Sequence, residues 1–241
     1  MRLDVALVYH KLCDSRKEAQ ELIKEGVVFV NDVQVTKQTK EIDDNSTLTL
    51  TRKREFVSRG GEKLKGALLD VYGDETSVKK ALFKKTAIDI GASTGGFTDC
   101  LVKYGVLNVT CIDVGTNQIH PRVASLVNVF IHENTDIRTF VGGQFDIIVA
   151  DLSFIALEAV FDKILSFGKR ATNYFILIKP QFEVGKGNTK KGIVKDQMKV
   201  KEVLNKYEAL AHKKFSLRNI KITKSKLEGG DGNQEYFLCI T

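Results

Sequence analysis

Residues 87–99 read AIDIGASTGGFTD. A short apolar run stops at Gly91, small residues follow, and Gly95 and Gly96 lead into the next segment. This is the pattern of a buried strand that turns sharply into a helix, with glycines where the backbone has to pass close to something else. Further along, VTCIDV, VNVFI, FDIIVAD and YFILIK are strand-like, and FTDCLVKYG and ALEAVFDKILSFG between them are helical. Strands that alternate with helices predict βαβ units, hence an α/β fold with a parallel sheet covered on both faces. SLRNIKIT and EYFLCI follow a helix near 196–213 and are expected to form an antiparallel hairpin at the sheet edge. The upstream segment GEKLKGALLDV puts Leu64, Ala67, Leu68 and Val71 on one helical face.

The first fifty residues form a separate pattern. Leu3, Ala6 and Leu7 recur at helical spacing; Ser15 and Glu18 make a capping box; Ala19, Leu22 and Ile23 form a stripe that Gly26 closes, so a helix is expected over 16–25. VVFV, a turn at Asn31–Asp32, VQV and then TLTLT at 47–51 follow as strands. The chain therefore divides into a small α+β module over residues 1–51, a charged linker over 52–61 and an α/β domain over 62–241.

Composition limits the classes of function. A chain of 241 residues with 43% apolar content supports one good core and a small second one. No apolar run nears the roughly 18 residues of a membrane span. The first twenty residues scatter charges through every turn, so neither a secretory leader nor a membrane partner is expected, and a cytoplasmic setting is. Cys13, Cys100, Cys111 and Cys239 lack metal-ligand spacing and read as reduced core thiols, so no metal is expected. The net charge of +7 suggests a polyanionic partner. Its excess lies late: residues 186–226 carry thirteen Lys and Arg against three Asp and Glu, whereas residues 1–60 carry eleven against ten. Within the basic region GKGNTKKG, residues 185–192, sets Lys186, Lys190 and Lys191 among glycines, a composition suited to phosphate contact.

In open parallel sheets ligands bind beyond the carboxyl ends of the strands. The loop of Gly91, Ala92, Ser93, Thr94, Gly95, Gly96 and Phe97 stands at the first such end. Asp113, 22 residues after Gly91, with Val114 beside it, is spaced to accept ribose hydroxyls from a dinucleotide or from S-adenosylmethionine. Asp136 in NTDIR follows the third strand, where an acid can hydrogen-bond an adenine amino group, and the set favours an adenosyl ligand. Asp151 and Lys179 end two further apolar runs, and a charge there is expensive unless it has a task. Pro180 stops the strand directly after the lysine and aims it at the crevice.

Two resemblances add to this reading. RLDVAL and SRKEAQELIKEGVVFVNDVQV resemble the S4-type RNA-binding domain, which implies RNA-facing roles for Arg2, Arg16, Lys17 and Lys24. VSRGGEKLKGAL, DIGASTGGFTD, DVG, VADLSF, KPQFEVGKG and GNQEYF resemble the haemolysin-A-like (TlyA) ribosomal RNA 2′-O-methyltransferases, and the likeness covers nearly the whole chain. It implies a Rossmann-like, FtsJ-like methyltransferase sheet, mostly parallel with an antiparallel edge, behind the S4-type module. S-adenosylmethionine would be the cofactor, with Asp151 among the residues around it. The partner would be ribosomal RNA or a ribosomal subunit, with a cytidine of the large subunit as the favoured target and Arg59 as a further RNA contact. By motif position the likeness implies a catalytic tetrad of Lys63, Asp151, Lys179 and Glu235. The chemistry fits, because a 2′-hydroxyl is a poor nucleophile and needs a neutral base aligned with the methyl group. Lys179 is the expected base, Lys63 the neighbouring cation, and the two acids orient the lysines.

Rival readings fare worse on the residues. A dehydrogenase leaves Lys179 without a task, and His120 and His132 have no setting for hydride chemistry. A base amino-methyltransferase would carry prolines where this chain has DLSF. A membrane-active toxin would need a long amphipathic or apolar segment. An RNA-binding protein that has lost activity is the alternative that stays open, although all four tetrad positions are filled.

Overall fold

The computed structural model describes residues 1–51, 54–185 and 187–241, the side chain of Lys17 excepted. Two compact units result, Met1–Glu55 and Phe56–Thr241. Of the linker expected over 52–61, Arg52 and Lys53 lie outside the described residues. Arg54 belongs to the first unit, where it pairs with Glu21 at 2.8 Å and Glu25 at 2.9 Å. Phe56 is 1% exposed in the core of the second unit, and a helix already begins at Arg59.

The first unit packs α1 (Leu3–Tyr9) and α2 (Arg16–Lys24) on a three-stranded sheet. Its strands are β1 (Val28–Val30), β2 (Val33–Gln34) and β3 (Leu48–Leu50), in the order β2-β1-β3 with antiparallel pairing. Ser15 Oγ accepts the Glu18 N–H at 3.1 Å, while Glu18 Oε2 accepts the N–H of Asp14 at 2.9 Å, so the box closes one residue further out than its usual form. Gly26 ends the helix at φ +71°, a conformation that favours glycine. Leu3, Leu7, Leu22, Ile23 and Val28 fill the core. Asp4, 0% exposed, sits beside it. Arg2, Arg16 and Gln20 all donate to its carboxylate, and hydrogen bonding, led by Arg2, holds it well below the usual carboxylate range. Two cations read from the sequence as RNA-facing thus also neutralise a buried acid of their own module.

The second unit runs through α3 (Arg59–Tyr72), α4 (Glu75–Leu82), β4 (Thr86–Ile90), α5 (Gly96–Lys103), β5 (Asn108–Ile112), α6 (Pro121–Ala124) and β6 (Val129–His132). It continues with β7 (Phe145–Ala150), a 3₁₀ turn (Leu157–Ala159), α7 (Phe161–Ser166), β8 (Gly168–Ile178), α8 (Pro180–Glu183), α9 (Gln197–Lys214), β9 (Ile220–Lys224) and β10 (Tyr236–Ile240). Among the described residues the sheet has seven strands in the order β6-β5-β4-β7-β8-β10-β9, and β10 runs antiparallel to both neighbours. Side chains alternate between two cores, as strand geometry demands. Ala87, Val109, Cys111, Ile147, Val149, Phe175 and Phe237 enter one, with α3 and α5; Ile88, Ile112, Ile148, Tyr174, Ile176 and Leu238 enter the other, with α7 and α9.

Three expectations are modified. The terminal hairpin forms, but β10 is not the edge: its five residues are all buried, it inserts between β8 and β9, and the lysine-bearing β9 takes the rim. Apolar side chains on both faces require an interior position, whereas Lys221 and Lys224 tolerate solvent. The helix expected from ALEAVFDKILSFG breaks at Val160, whose φ and ψ of −128° and 0° are not helical, and leaves a 3₁₀ turn and a six-residue helix. The strand read from YFILIK is longer, starting at Gly168.

Under the sheet's centre Asp89 is 0% exposed. Its Oδ2 accepts the Thr98 N–H at 2.9 Å and the Thr98 hydroxyl at 2.7 Å, while Oδ1 has no hydrogen-bond partner. Burial pushes its carboxyl up to about 7; the charges of Asp151 and Asp113 add to the rise and the Thr98 bonds oppose it. In the unfolded chain the group titrates near 4. The folded state therefore holds the proton more tightly, and this residue's contribution to stability is full below about pH 4 and lost as pH rises to about 7. Asp89→Asn keeps an acceptor for Thr98 and removes the buried charge. Urea midpoints measured from pH 4 to 8 should show a flatter profile for the variant, with its largest advantage over the parent at the alkaline end.

Candidate active site

Four strand ends meet at one edge of the sheet. β4 stops at Ile90, and Gly91 turns at φ +79°. A Cβ on Gly91 would overlap the carbonyl oxygen of Asp151, so glycine is required for the ends of β4 and β7 to lie this close. Gly95, at φ +85°, faces Val123. Gly96 abuts Ser58 and Gly61 at the start of α3. The close approaches that the sequence assigned to a ligand are thus made against the protein itself. Phe97, read as a cofactor contact, turns its ring into the core, 5.9 Å from Phe237. Ala92 is buried, and the Thr94 carbonyl accepts the His120 N–H at 3.2 Å.

Beyond these ends lies a cavity of about 350 Å³. Gly91, Ser93, Asp113, Val114, Asp136 and Asp151 from the sequence-based set line it. Asp113 accepts the N–H of Ser93 on one oxygen and that of Gly115 on the other, both at 2.7 Å, which fixes its carboxylate at the mouth of the loop. Asp136 is held by the Arg138 guanidinium and backbone, and the hydrogen bond from that side chain leads in lowering its pKa to about 2.

Gln118, Arg138, Ser153 and Phe154 also line the cavity; the last three escaped the sequence reading, whereas Gln118 is one of the positions on which the family likeness rests. Phe154 is 93% exposed and stands at φ +66°, an outlier for a bulky side chain, with Phe182 at 5.6 Å. Glu133 escaped as well. One of its oxygens accepts the Asn117 N–H at 2.7 Å, the other those of Gln118 at 2.7 Å and Ile119 at 3.1 Å. These backbone bonds lower its pKa. Three successive N–H groups closing on one carboxylate make an anion nest, and it clamps the wall that carries Gln118. Nothing in HENTD signals this, because the donors are backbone groups of another loop.

The four tetrad positions form two ion pairs. Lys179 Nζ lies 2.5 Å from Asp151 Oδ1 and donates to Ser153 Oγ at 2.8 Å. Lys63 Nζ lies 2.5 Å from Glu235 Oε2, with both residues nearly buried at 8% and 2% exposure. The register of β10 on β8 pairs Tyr236 with Ile178, so Glu235 and Lys179 adjoin across the two strands. Gln181 then donates to the free oxygen of Glu235 at 3.4 Å. Of the cations read as RNA contacts, Arg59 donates to the Glu228 carbonyl at 2.6 Å. Lys190 and Lys191 are exposed where a bridge from Lys190 to Ile193 closes a tight turn, and Lys24 is exposed in the last turn of α2. Lys186 and the Lys17 side chain lie outside the described residues. Among the described residues no group of three or more His, Cys, Asp or Glu could hold a metal ion, and no helix is long and apolar enough to cross a membrane.

A mostly parallel seven-stranded sheet with an antiparallel strand beside β8, and a cavity rimmed by acids at its strand ends, defines a Rossmann-like methyltransferase. The chain belongs to the FtsJ-like methyltransferase family, whose model matches residues 56–241, and carries an S4 domain over residues 1–47. It is 36% identical over 249 residues to the 16S/23S rRNA (cytidine-2′-O)-methyltransferase TlyA of Mycobacterium tuberculosis, covering 99% of this chain and 89% of that one. It is 34% identical to the 23S rRNA (cytidine-2′-O)-methyltransferase TlyA of Campylobacter jejuni, covering 98% of each. A solved structure of a Streptococcus thermophilus protein described as a hemolysin matches with a TM-score of 0.74 and 31% identity, over 100% of this chain and 87% of that one.

The Glu133 clamp has a direct readout. Glu133→Gln offers one acceptor where two oxygens served three donors, so the amides of Asn117, Gln118 and Ile119 should exchange with solvent about tenfold faster as their local protection falls. Melting temperature should barely move, since the clamp is a surface feature. Unchanged exchange at all three amides would remove the clamp from the description of this wall.

Proposed function

We propose that the protein methylates the 2′-hydroxyl of a cytidine in ribosomal RNA, with the large subunit as its favoured target and the S4-type module as the part that engages RNA. The observation that carries this reading is that Asp151, on the cavity wall, pairs with Lys179, while the register of β10 on β8 sets Glu235, the partner of Lys63, across from that lysine. The names of the mycobacterial and Campylobacter relatives support the reaction and its substrate. Such a substrate belongs to the cytoplasm.

The cavity suits S-adenosylmethionine on its own features. Its volume falls in the range of small-molecule sites. Asp113 keeps lone pairs free after accepting one N–H on each oxygen, enough to receive ribose hydroxyls, and Asp136 stands beyond it for the adenine amino group. Gly91, Ser93 and Val114 supply the surrounding wall. When bound, S-adenosylmethionine supplies a methyl group that its positive sulfur makes electrophilic. Asp113→Ala should weaken calorimetrically measured binding of S-adenosylmethionine by about 1–3 kcal/mol, the scale for removing a partner of buried polar groups. Tight binding of NAD instead would refute the adenosylmethionine reading.

The side chains divide the remaining work. Lys179 Nζ, held by Asp151 and Ser153, takes the proton of the attacking hydroxyl. It can do so only as the neutral amine, which a neighbouring cation favours, and Lys63 takes that role through Glu235, which the register of β10 sets across from Lys179. Holding the hydroxyl in line with the methyl group supplies much of the acceleration. The exposed Phe154 at the rim offers a flat apolar face to an unstacked base.

Lys179→Ala should bind cofactor and RNA nearly as well as the parent yet lose methyl transfer by about 100-fold or more, the usual contribution of a positioned base. Lys179→Arg should fail equally, because a guanidinium keeps its proton at any working pH. Mapping of 2′-O-methyl groups on ribosomal RNA, with each variant as the only source of the protein, reads both. An active Lys179→Arg would show that the position requires positive charge and not a base.

A further inference from the structure

The stretch from Asp151 to Ala156 has no regular secondary structure, yet it carries Asp151, Ser153 and Phe154 to the cavity. Phe154 stands in the left-handed region, a strain that surrounding contacts must outweigh. Two ties reach this loop from the segment after β8. At its near end Lys179 holds Asp151 and Ser153. At its far end Glu183 Oε1 accepts the Leu157 N–H at 2.7 Å, while Glu183 Oε2 accepts the Tyr207 hydroxyl at 2.5 Å. Tyr207 is fully buried in α9, its ring 5.7 Å from that of Phe161. Lys179 and Glu183 bracket the single turn of α8, so both ties issue from one short piece of chain.

The ties differ in what the reaction asks of them. The lysine amine has to exchange hydrogen-bond partners as it takes and releases a proton, which loosens its hold on Asp151 and Ser153. Neither partner of Glu183 takes part in proton transfer, so that tie persists through the cycle. We propose that Glu183, anchored from beneath by Tyr207, is a positioning residue that keeps the Asp151–Phe154 loop in register with Lys179 while the lysine's own contacts break and re-form. This rests on the reading of Lys179 as the base. Glu183 touches none of the reacting atoms, and acts through the loop. A displacement of about 1 Å in such a loop is enough to cost about 100-fold in rate.

The amide isostere separates geometry from charge. In Glu183→Gln the amide oxygen can still accept from Leu157 and the amide nitrogen can donate to the Tyr207 oxygen, so both ties survive; in Glu183→Ala both are lost. The assay is methyl transfer by the full chain to large ribosomal subunits from cells lacking the protein, with kcat and the cofactor KM measured separately and melting temperature recorded. Glu183→Ala should lower kcat by about tenfold or more with the cofactor KM within about threefold of the parent, and Glu183→Gln should recover most of the loss. Val203→Ala, a cavity in the same core beneath α9, controls for stability: it should lower the melting temperature while leaving kcat close to that of the parent. A normal kcat in Glu183→Ala, a Glu183→Gln as damaged as Glu183→Ala, or a Val203→Ala whose activity falls in step with its stability would each overturn the assignment. Lys179→Ala run alongside tells the two readings apart. If it remains active the base reading itself falls, whereas an inactive Lys179→Ala beside a fully active Glu183→Ala condemns the positioning role alone.

Discussion

The site depends on how closely the end of β4 lies against the end of β7. The Asp151 N–H donates to the Ile90 carbonyl at 2.9 Å, extending the parallel ladder by one bond past the last strand residue. The next residue of β4's path is Gly91, and only a residue without Cβ leaves room for the Asp151 carbonyl there. A side chain at 91 would force the two ends apart, carrying Asp151 away from Lys179 and opening the floor of the cavity. The same glycine turn directs Ser93 to Asp113. One close backbone contact therefore fixes the glycine loop and the acid of the proposed catalytic pair together.

Charge is arranged around that contact with compensation at every step. Two lysines and two acids share the ends of β7, β8, β10 and the start of α3, and each lysine has an acid within 2.5 Å. Removing one member would strand a poorly solvated charge, whereas the intact set is close to neutral. The first unit treats its buried Asp4 in the same way, with two arginines and a glutamine. The formal +7 of the chain is thus a poor guide to where free positive charge resides. Several cations are committed to internal partners, while Lys190 and Lys191 remain exposed on their turn.

Strand ends were legible because they are punctuated: apolar runs stop at Gly91, Asp113, Asp151 and Lys179, and in a parallel sheet such ends share one edge. Lys63 and Glu235 carried no comparable signal. One begins an ordinary amphipathic helix, the other precedes a strand that reads like an edge, and only the family likeness singled them out. Their pairing needed β10 to lie inside the sheet, beside β8, and that order is decided by packing on both faces of β10.

Local patterning by itself determined the division into an α+β module and an α/β domain, the alternation of strands and helices, the glycine turn and the identities of the acids at the strand ends. These follow from periodicity and from residues whose backbone preferences act within a few positions. Tertiary structure alone decided what the glycines approach, which side of β8 receives β10, and which carboxylates serve as internal clamps. Glu133 on residues 117–119 and Glu183 on Leu157 and Tyr207 bridge chain segments 14 to 26 positions apart. Such bonds to backbone N–H groups and a buried hydroxyl leave no mark on residue spacing, because every residue except proline offers the same N–H donor wherever the fold brings it.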